Sequence, residues 1–171
     1  NSNGKEEHFA IVVGEGLSAK EPLVRLHSQC LTGDVLGSLK CDCGDQLENA
    51  LSMMSKAGNG VVLYLAQEGR DIGLLNKIRA YALQDAGLDT VEANHSLGFE
   101  TDERGFKTAA EMLRLLGLNH IKLLTNNPDK VKQLDAYGII VTQRLPLHLP
   151  TNKYNQNYMK IKKEKTGHLL K

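Results

Sequence analysis

Short apolar runs rich in Val, Ile and Leu alternate along this chain with longer segments of helical period, and that alternation confines it to α/β architectures. Phe9–Val13, Leu23–His27, Val61–Leu65, Ile121–Thr125 and Ile139–Arg144 read as strands. Val61–Leu65 is apolar almost throughout, as expected of a strand covered on both faces. Asp45–Lys56 reads as a helix, with Leu47, Ala50, Leu51 and Met54 on one face and Gly58 near its end. Leu74–Ala86 and Lys107–Leu116 are further helices, each followed by a glycine, Gly87 and Gly117. Pro128–Tyr137 is another, and Tyr158–Lys165, in a polar and basic tail, is a last one. No repeat, low-complexity tract or linker divides the sequence. The expected fold is a single α/β domain over residues 1–171, a mixed sheet with helices packed on both faces.

A chain of 171 residues with 41% hydrophobic and 24% charged residues can bury a substantial core. Its formal net charge of +1 argues against a nucleic-acid backbone or an anionic membrane as the main partner, since both draw on an excess of Lys and Arg. No apolar run approaches the ~20 residues that span a bilayer. The polar start, Asn1 to Glu7, lacks the apolar stretch of a secretory signal. The expected compartment is the cytoplasm, where thiols stay reduced.

The three cysteines all fall between positions 30 and 43. Cys41 and Cys43 flank Asp42, in a pattern that suits a strand, a turn or a helix start. Free cysteines are commonly just small buried residues. Clustering beside His27 and Asp42 favours metal over that reading. Three thiolates suit zinc, and zinc with three protein ligands keeps a fourth position for water, whose pKa falls to roughly 7. A closed structural site completed by His27 is the alternative.

Arg25-Leu26-His27-Ser28-Gln29-Cys30-Leu31-Thr32-Gly33-Asp34, followed by Cys41-Asp42-Cys43-Gly44-Asp45-Gln46, resembles the zinc motif of the GTP cyclohydrolase II family. Four further stretches match in order: Gln67–Leu74, Lys77–Gln84, Asp89–Asn94 and Leu124–Pro128. The closing Gly167-His168-Leu169-Leu170 is also similar, so the resemblance runs from about residue 23 to 171. Gln29 stands where the family more often has Glu, and Asp71 where Gly or Asn is more usual. The family's N-terminal strands are missing, which implies a fragment, an ordered portion, or the cyclohydrolase half of a longer fusion.

The resemblance implies one zinc per chain on Cys30, Cys41 and Cys43, its hydroxide attacking the guanine imidazole carbon that leaves as formate. It implies a tyrosine, Tyr81, that assists this step as a proton donor or by orienting the intermediate. From the residues alone, Tyr81 is a core aromatic on its helix. Asp102 and Arg104 match the family's proton acceptor and nucleophile. A guanidinium holds its proton to a pKa above about 12, so stabilising charge on the α-phosphorus as pyrophosphate leaves is the more conservative role for Arg104. By spacing alone this pair belongs to a solvated loop. The implied GTP contacts are Arg25, Leu26, His27, Ser28, Gln29, Gln46, Glu68, Gly69, Arg70, Thr90, Thr125 and Lys130. Glu68 would accept from guanine N–H groups, and Arg70 would fork onto phosphate. Asn127 reads as an N-cap and Pro128 as a first helical residue, so free N–H groups there would face an anion. Mg2+ is expected with the triphosphate, with no dedicated ligands in the sequence. The resemblance also implies a homodimer.

The expected activity is therefore hydrolysis of GTP to formate, pyrophosphate and 2,5-diamino-6-(5-phosphoribosylamino)pyrimidin-4-one, the first step of riboflavin biosynthesis. Two alternatives stand beside it: a variant stopping at the formylated intermediate, and a non-catalytic, zinc-stabilised nucleotide-binding module. A nucleobase deaminase would need an H-x-E motif and a paired P-C-x-x-C, and the sequence has neither.

Overall fold

Five strands, β1 (Phe9–Gly14), β2 (Leu23–Ser28), β3 (Asn59–Leu65), β4 (His120–Leu124) and β5 (Ile140–Leu145), form one mixed sheet in the order β1-β3-β2-β4-β5. The computed structural model describes residues 6–170, so residues 1–5 of the polar opening segment lie outside the described residues, as does Lys171. β1 runs antiparallel to β3, and every other pairing is parallel. The helices are α1 (Cys43–Ala57), α2 (Gly73–Asp85), α3 (Thr90–Ser96), α4 (Lys107–Leu115), α5 (Pro128–Ala136) and α6 (Gln156–Glu164). The strands and the longer helices lie within a few residues of their sequence expectation. A single π-helical turn, Leu31–Val35, and the short α3 carry no periodicity that would have announced them.

Strand alternation divides the core in two. Val24, Leu26, Val61, Leu63, Leu65, Ile121 and Leu123 face one side, where they pack with Phe106, Ala109, Ala110 and Leu113 of the α4 region and Leu134 of α5. Val62 and Leu124 face the other side and meet Ala50 and Met54 of α1. The α1 stripe Leu47, Ala50, Leu51, Met54 follows the i, i+3, i+4, i+7 spacing that puts four side chains on one helix face. Gly58 closes α1 in the left-handed region at φ 71, a conformation that costs a side chain but not glycine. Each fully buried Leu or Val contributes about 1.5–3 kcal/mol.

The β2–β4 pairing is short. It holds only Leu23 with Lys122 and Val24 with Leu123, after which the two strands part. On either side of this gap the connections leave in opposite directions. From β2 the chain returns through α1 on one face to reach β3, and from β4 it returns through α5 on the other to reach β5. In open α/β sheets a crevice forms at such a reversal, outside the carboxyl ends of the strands.

Leu113 is fully buried between α4 and the sheet. Leu113→Ala is expected to lower unfolding stability by about 2–5 kcal/mol, through lost burial plus the cavity left behind. A urea midpoint unchanged from the parent would show that α4 is not part of the cooperative core.

Candidate active site

The crevice is walled by the ends of β2, β3 and β4 and the loops that follow them. Where the β2–β4 ladder stops, side chains take over its hydrogen bonds. Arg25 Nη1 donates to the Leu124 carbonyl at 3.0 Å, and Lys130 Nζ donates to the Leu26 carbonyl at 2.8 Å. A buried carbonyl left unpaired would cost about 1–3 kcal/mol, so these two cations hold the crevice open without leaving its backbone orphaned. Burial pushes Arg25 down to about 10 and Lys130 well below the ordinary lysine value, with the Arg25 and Arg104 charges adding to the effect on Lys130.

At one end of the crevice the three thiols converge. Their sulfur atoms lie within 4.8 Å of one another, with Cys30 and Cys41 3.7 Å apart. A tetrahedron with Zn–S bonds of about 2.3 Å has edges of about 3.8 Å, so the spacing fits a zinc ion and is far too long for a disulfide. Cys30 is the N-cap of the π-helical turn, its sulfur accepting from Gly33 N at 3.4 Å, and Cys43 is the first residue of α1. A Cβ on Gly33 would sit 2.9 Å from the Cys41 sulfur and 3.0 Å from that of Cys30. Only glycine lets that backbone approach the sulfurs.

Two polar networks fix this loop. The Asp34 carboxylate meets His27 Nε2 at 2.9 and 3.0 Å and accepts from the Tyr64 hydroxyl at 2.8 Å and from Cys30 N at 3.0 Å. On the other side, Lys77 Nζ donates to Cys30 Sγ at 3.0 Å and to Glu68 Oε1 at 2.8 Å. Glu68 also accepts from Leu31 N at 2.7 Å and Gly69 N at 3.0 Å, tying the thiol loop to the loop after β3. Hydrogen bonds from Cys41, Cys43 and Lys77 lower the Cys30 pKa, while the bond to Cys30 pushes Cys41 up to about 11. Burial opposes the charge on Lys77, but its bonds to Glu68 and Cys30 outweigh that and raise its pKa.

The loop after β3 is strained. Gly69, Arg70 and Asp71 are consecutively left-handed at φ 63, 63 and 76. That conformation explains why Gly or Asn is the easier residue at position 71. Arg70 Nη1 donates to the Thr101 carbonyl at 2.9 Å, which docks the 101–105 loop against the crevice. There Arg104 grips Asp102 with two bonds, from Nε at 2.7 Å and from Nη2, and reaches Ser28 Oγ at 3.3 Å. Burial opposes ionisation of Asp102, but the Arg104 bonds prevail and lower its pKa. Tyr81 stands on α2, one turn beyond Lys77. Burial raises its phenol pKa, so the hydroxyl holds its proton at neutral pH.

The crevice brings together Cys30, Cys41, Cys43, Tyr81 and Arg104. Arg25, His27, Ser28, Gln29, Gln46, Glu68, Gly69, Arg70, Thr90, Thr125 and Lys130 line it as well. Two expected residues stand differently. The Leu26 side chain points into the core on the far face, and what it turns towards Lys130 is its carbonyl. Asp102 is not on the crevice wall and is hydrogen-bonded to it through Arg104. His27 has its Nε2 committed to Asp34, and its buried Nδ1 has no partner among the described residues. Lys77, Asp34, Tyr158, Lys162 and His168 went unassigned by sequence reasoning. A lysine four residues before Tyr81 on the same helix face was a readable signal for Lys77, whereas the basic tail offered none for Lys162.

Fold and site together define an α/β protein with a cationic crevice beside three thiols at the spacing of a metal site. The family model for GTP cyclohydrolase II matches residues 1–146. Curated relatives named GTP cyclohydrolase-2 include a Cronobacter sakazakii protein, 58% identical over 166 residues, covering 96% of this chain and 84% of that protein. An Escherichia coli relative is 56% identical over 164 residues, with the same coverage of 96% and 84%. An Azospirillum brasilense relative is 53% identical over 168 residues, 98% of this chain but 44% of its own length. The chain belongs to the GTP cyclohydrolase II family, a family of hydrolases. The match begins ahead of residue 23, taking in β1.

Two outcomes follow from the loop geometry. Gly33→Ala is expected to leave the protein folded but to abolish its capacity to take up added zinc, because the new methyl group displaces two sulfurs; zinc titration of variant against parent checks it, and equal uptake by both would contradict it. Asp71→Gly is expected to raise stability by about 0.5–1 kcal/mol by relieving left-handed strain, read as a higher thermal midpoint.

Proposed function

We propose that this chain hydrolyses GTP with release of formate and pyrophosphate, leaving the diaminopyrimidine with which riboflavin synthesis begins. The observation that carries this reading is three sulfurs at zinc-binding spacing opening onto a crevice whose walls carry buried cations. Bound zinc would supply Lewis acidity and an activated water, and Cys30, Cys41 and Cys43 are the residues to hold it.

The chain's own residues divide the remaining work. Arg25, Arg104 and Lys130 hold the triphosphate, with Mg2+ accompanying it. Lys130 suits this task because its ammonium has a carbonyl and the Phe106 ring beside it and, among the described residues, no carboxylate bond. Glu68 has three of its roughly four acceptor sites taken by Lys77, Gly69 N and Leu31 N, which leaves about one for a guanine N–H. Tyr81 keeps its proton and so serves as the donor to the departing ring nitrogen. Arg104, locked by Asp102, places a fixed positive charge where the α-phosphorus gains negative charge. A guanidinium so paired is a poor nucleophile.

Exposed apolar side chains at Val35, Leu36 and Leu39 of the thiol loop, and at Leu75 and Ile78 of α2, support assembly as a homodimer. Free thiols suit the reducing cytoplasm. Among the described residues no helix is long and apolar enough to cross a membrane.

Incubating the zinc-loaded protein with GTP, and with ATP as control, tests the reading. Formate and pyrophosphate should appear in equal amounts from GTP alone. Cys41→Ser should lose both zinc and formate. Formate release that persists in the metal-free variant would overturn the proposal, and formylated product would favour the shortened reaction.

A further inference from the structure

The tail beyond the residues matched by the family model returns across the crevice, and Tyr158, Lys162 and His168 line its wall. Asn126, in the loop after β4, stitches down both ends of this segment. Its side chain accepts from Leu147 N at 3.0 Å and donates to the Leu147 carbonyl at 2.6 Å, while its own carbonyl accepts from Leu169 N at 2.8 Å. Between these ends, Lys165 pairs with Asp89 at the start of α3, and Lys162 Nζ donates to both oxygens of Asp42 at 2.9 and 3.0 Å. The tail is therefore fastened to three sides of the crevice: the loop after β4, α3 and the thiol loop.

Lys162 is placed for more than fastening. Asp42 stands between Cys41 and Cys43 and also accepts from Gln46 Nε2, and Gln46 in turn accepts from Arg25. This chain of bonds links Lys162 to Arg25, and Arg25, Arg104 and Lys162 act together on Lys130. These four cations meet two carboxylates, Asp42 and Asp102; since Lys77 is paired with Glu68 and Arg70 bonds to a carbonyl, the surplus on the wall is positive. An ammonium has three N–H donors. Lys162 directs its bonds to Asp42 alone among the described residues, which leaves donor capacity on a crevice wall. A buried ion pair kept only for stability would be served as well by apolar packing.

We propose that the carboxyl-terminal segment is part of the nucleotide site and that Lys162, oriented by Asp42, is a phosphate-binding residue. This rests on the reading of the crevice as a GTP site. It differs from a structural role in one measurable way: its contribution grows with the number of phosphates on the ligand.

The test is calorimetric binding of guanosine, GMP and a non-hydrolysable imido analogue of GTP to zinc-loaded wild type, Lys162→Met and Lys162→Arg. Lys162→Met should weaken the triphosphate analogue about 10-fold or more, with guanosine changed by less than about 2-fold and a flatter salt dependence. Lys162→Arg should recover most of the loss. Equal weakening of guanosine and the triphosphate, or no change in either, overturns the proposal. Should Lys162→Met fail to fold, Lys162→Gln keeps a donor to Asp42 without the charge and carries the same expectation. The same series with adenosine and ATP separates the two readings. A phosphate-dependent effect of Lys162 without preference for guanine would sink the GTP assignment while sustaining this one.

Discussion

The parting of β2 and β4 after two residue pairs is the constraint from which the site descends. Had the ladder continued, the carbonyls of Leu26 and Leu124 would bond to backbone and the strands would close over the crevice. Instead Lys130 and Arg25 supply those bonds. Arg25 thereby bridges β2 to the end of β4, Lys130 ties α5 to β2, and both place buried positive charge beside the strand ends. Structure and electrostatics here are a single feature, since removing either cation would orphan a carbonyl as well as delete a charge.

The thiol end of the crevice depends on a different device, a short turn with no side chain at its centre. Gly33 brings its backbone against two sulfurs, and the neighbouring Asp34 turns its carboxylate inward to gather His27, Tyr64 and Cys30 N. A carboxylate buried this deeply needs several donors to offset lost hydration, and here it has three. The opposite side is held by Lys77, which spans from Cys30 to Glu68. An N–H donor to a thiolate draws charge from the sulfur, so the ligand set would be less electron-rich than three bare thiolates. Thiols, turn and the loop after β3 are thus tied into one hydrogen-bonded unit.

Much of this architecture was legible in the sequence because it is local. Alternation marked the five strands, and the 47, 50, 51, 54 stripe marked α1. The clustered cysteines marked the thiol end of the crevice, where the three sulfurs do converge, and Asn127 with Pro128 marked the start of α5, where the Asn127 side chain accepts from Asp129 N. What stayed hidden is either short or long-range. α3 has seven residues, too few for a period, although its capping box of Asp89 and Glu92 was there to be read. The bonds of Arg25 to Leu124 and Lys130 to Leu26 span 99 and 104 residues, and no local pattern announces them. Glu68 carried a recognisable motif, but only the fold shows that most of its acceptor capacity goes to the protein itself. Lys162 was hidden most completely, as one basic residue among several in a polar tail.

The distribution of charge gives the crevice its remaining logic. Arg104 is balanced by Asp102 and Lys162 by Asp42, while Lys130 and Arg25 bond to carbonyls and an amide. Two cations are thereby held in a buried, low-dielectric setting by neutral acceptors, where mutual repulsion works against the fold. Core packing on both faces of the sheet must outweigh that repulsion for the site to exist. A polyanion entering the crevice would relieve it, and ligand-binding energy and protein stability then become two measures of one imbalance. Local rules of good protein construction are broken most often at functional sites, and the unmatched cations at the carboxyl ends of β2 and β4 are such a break.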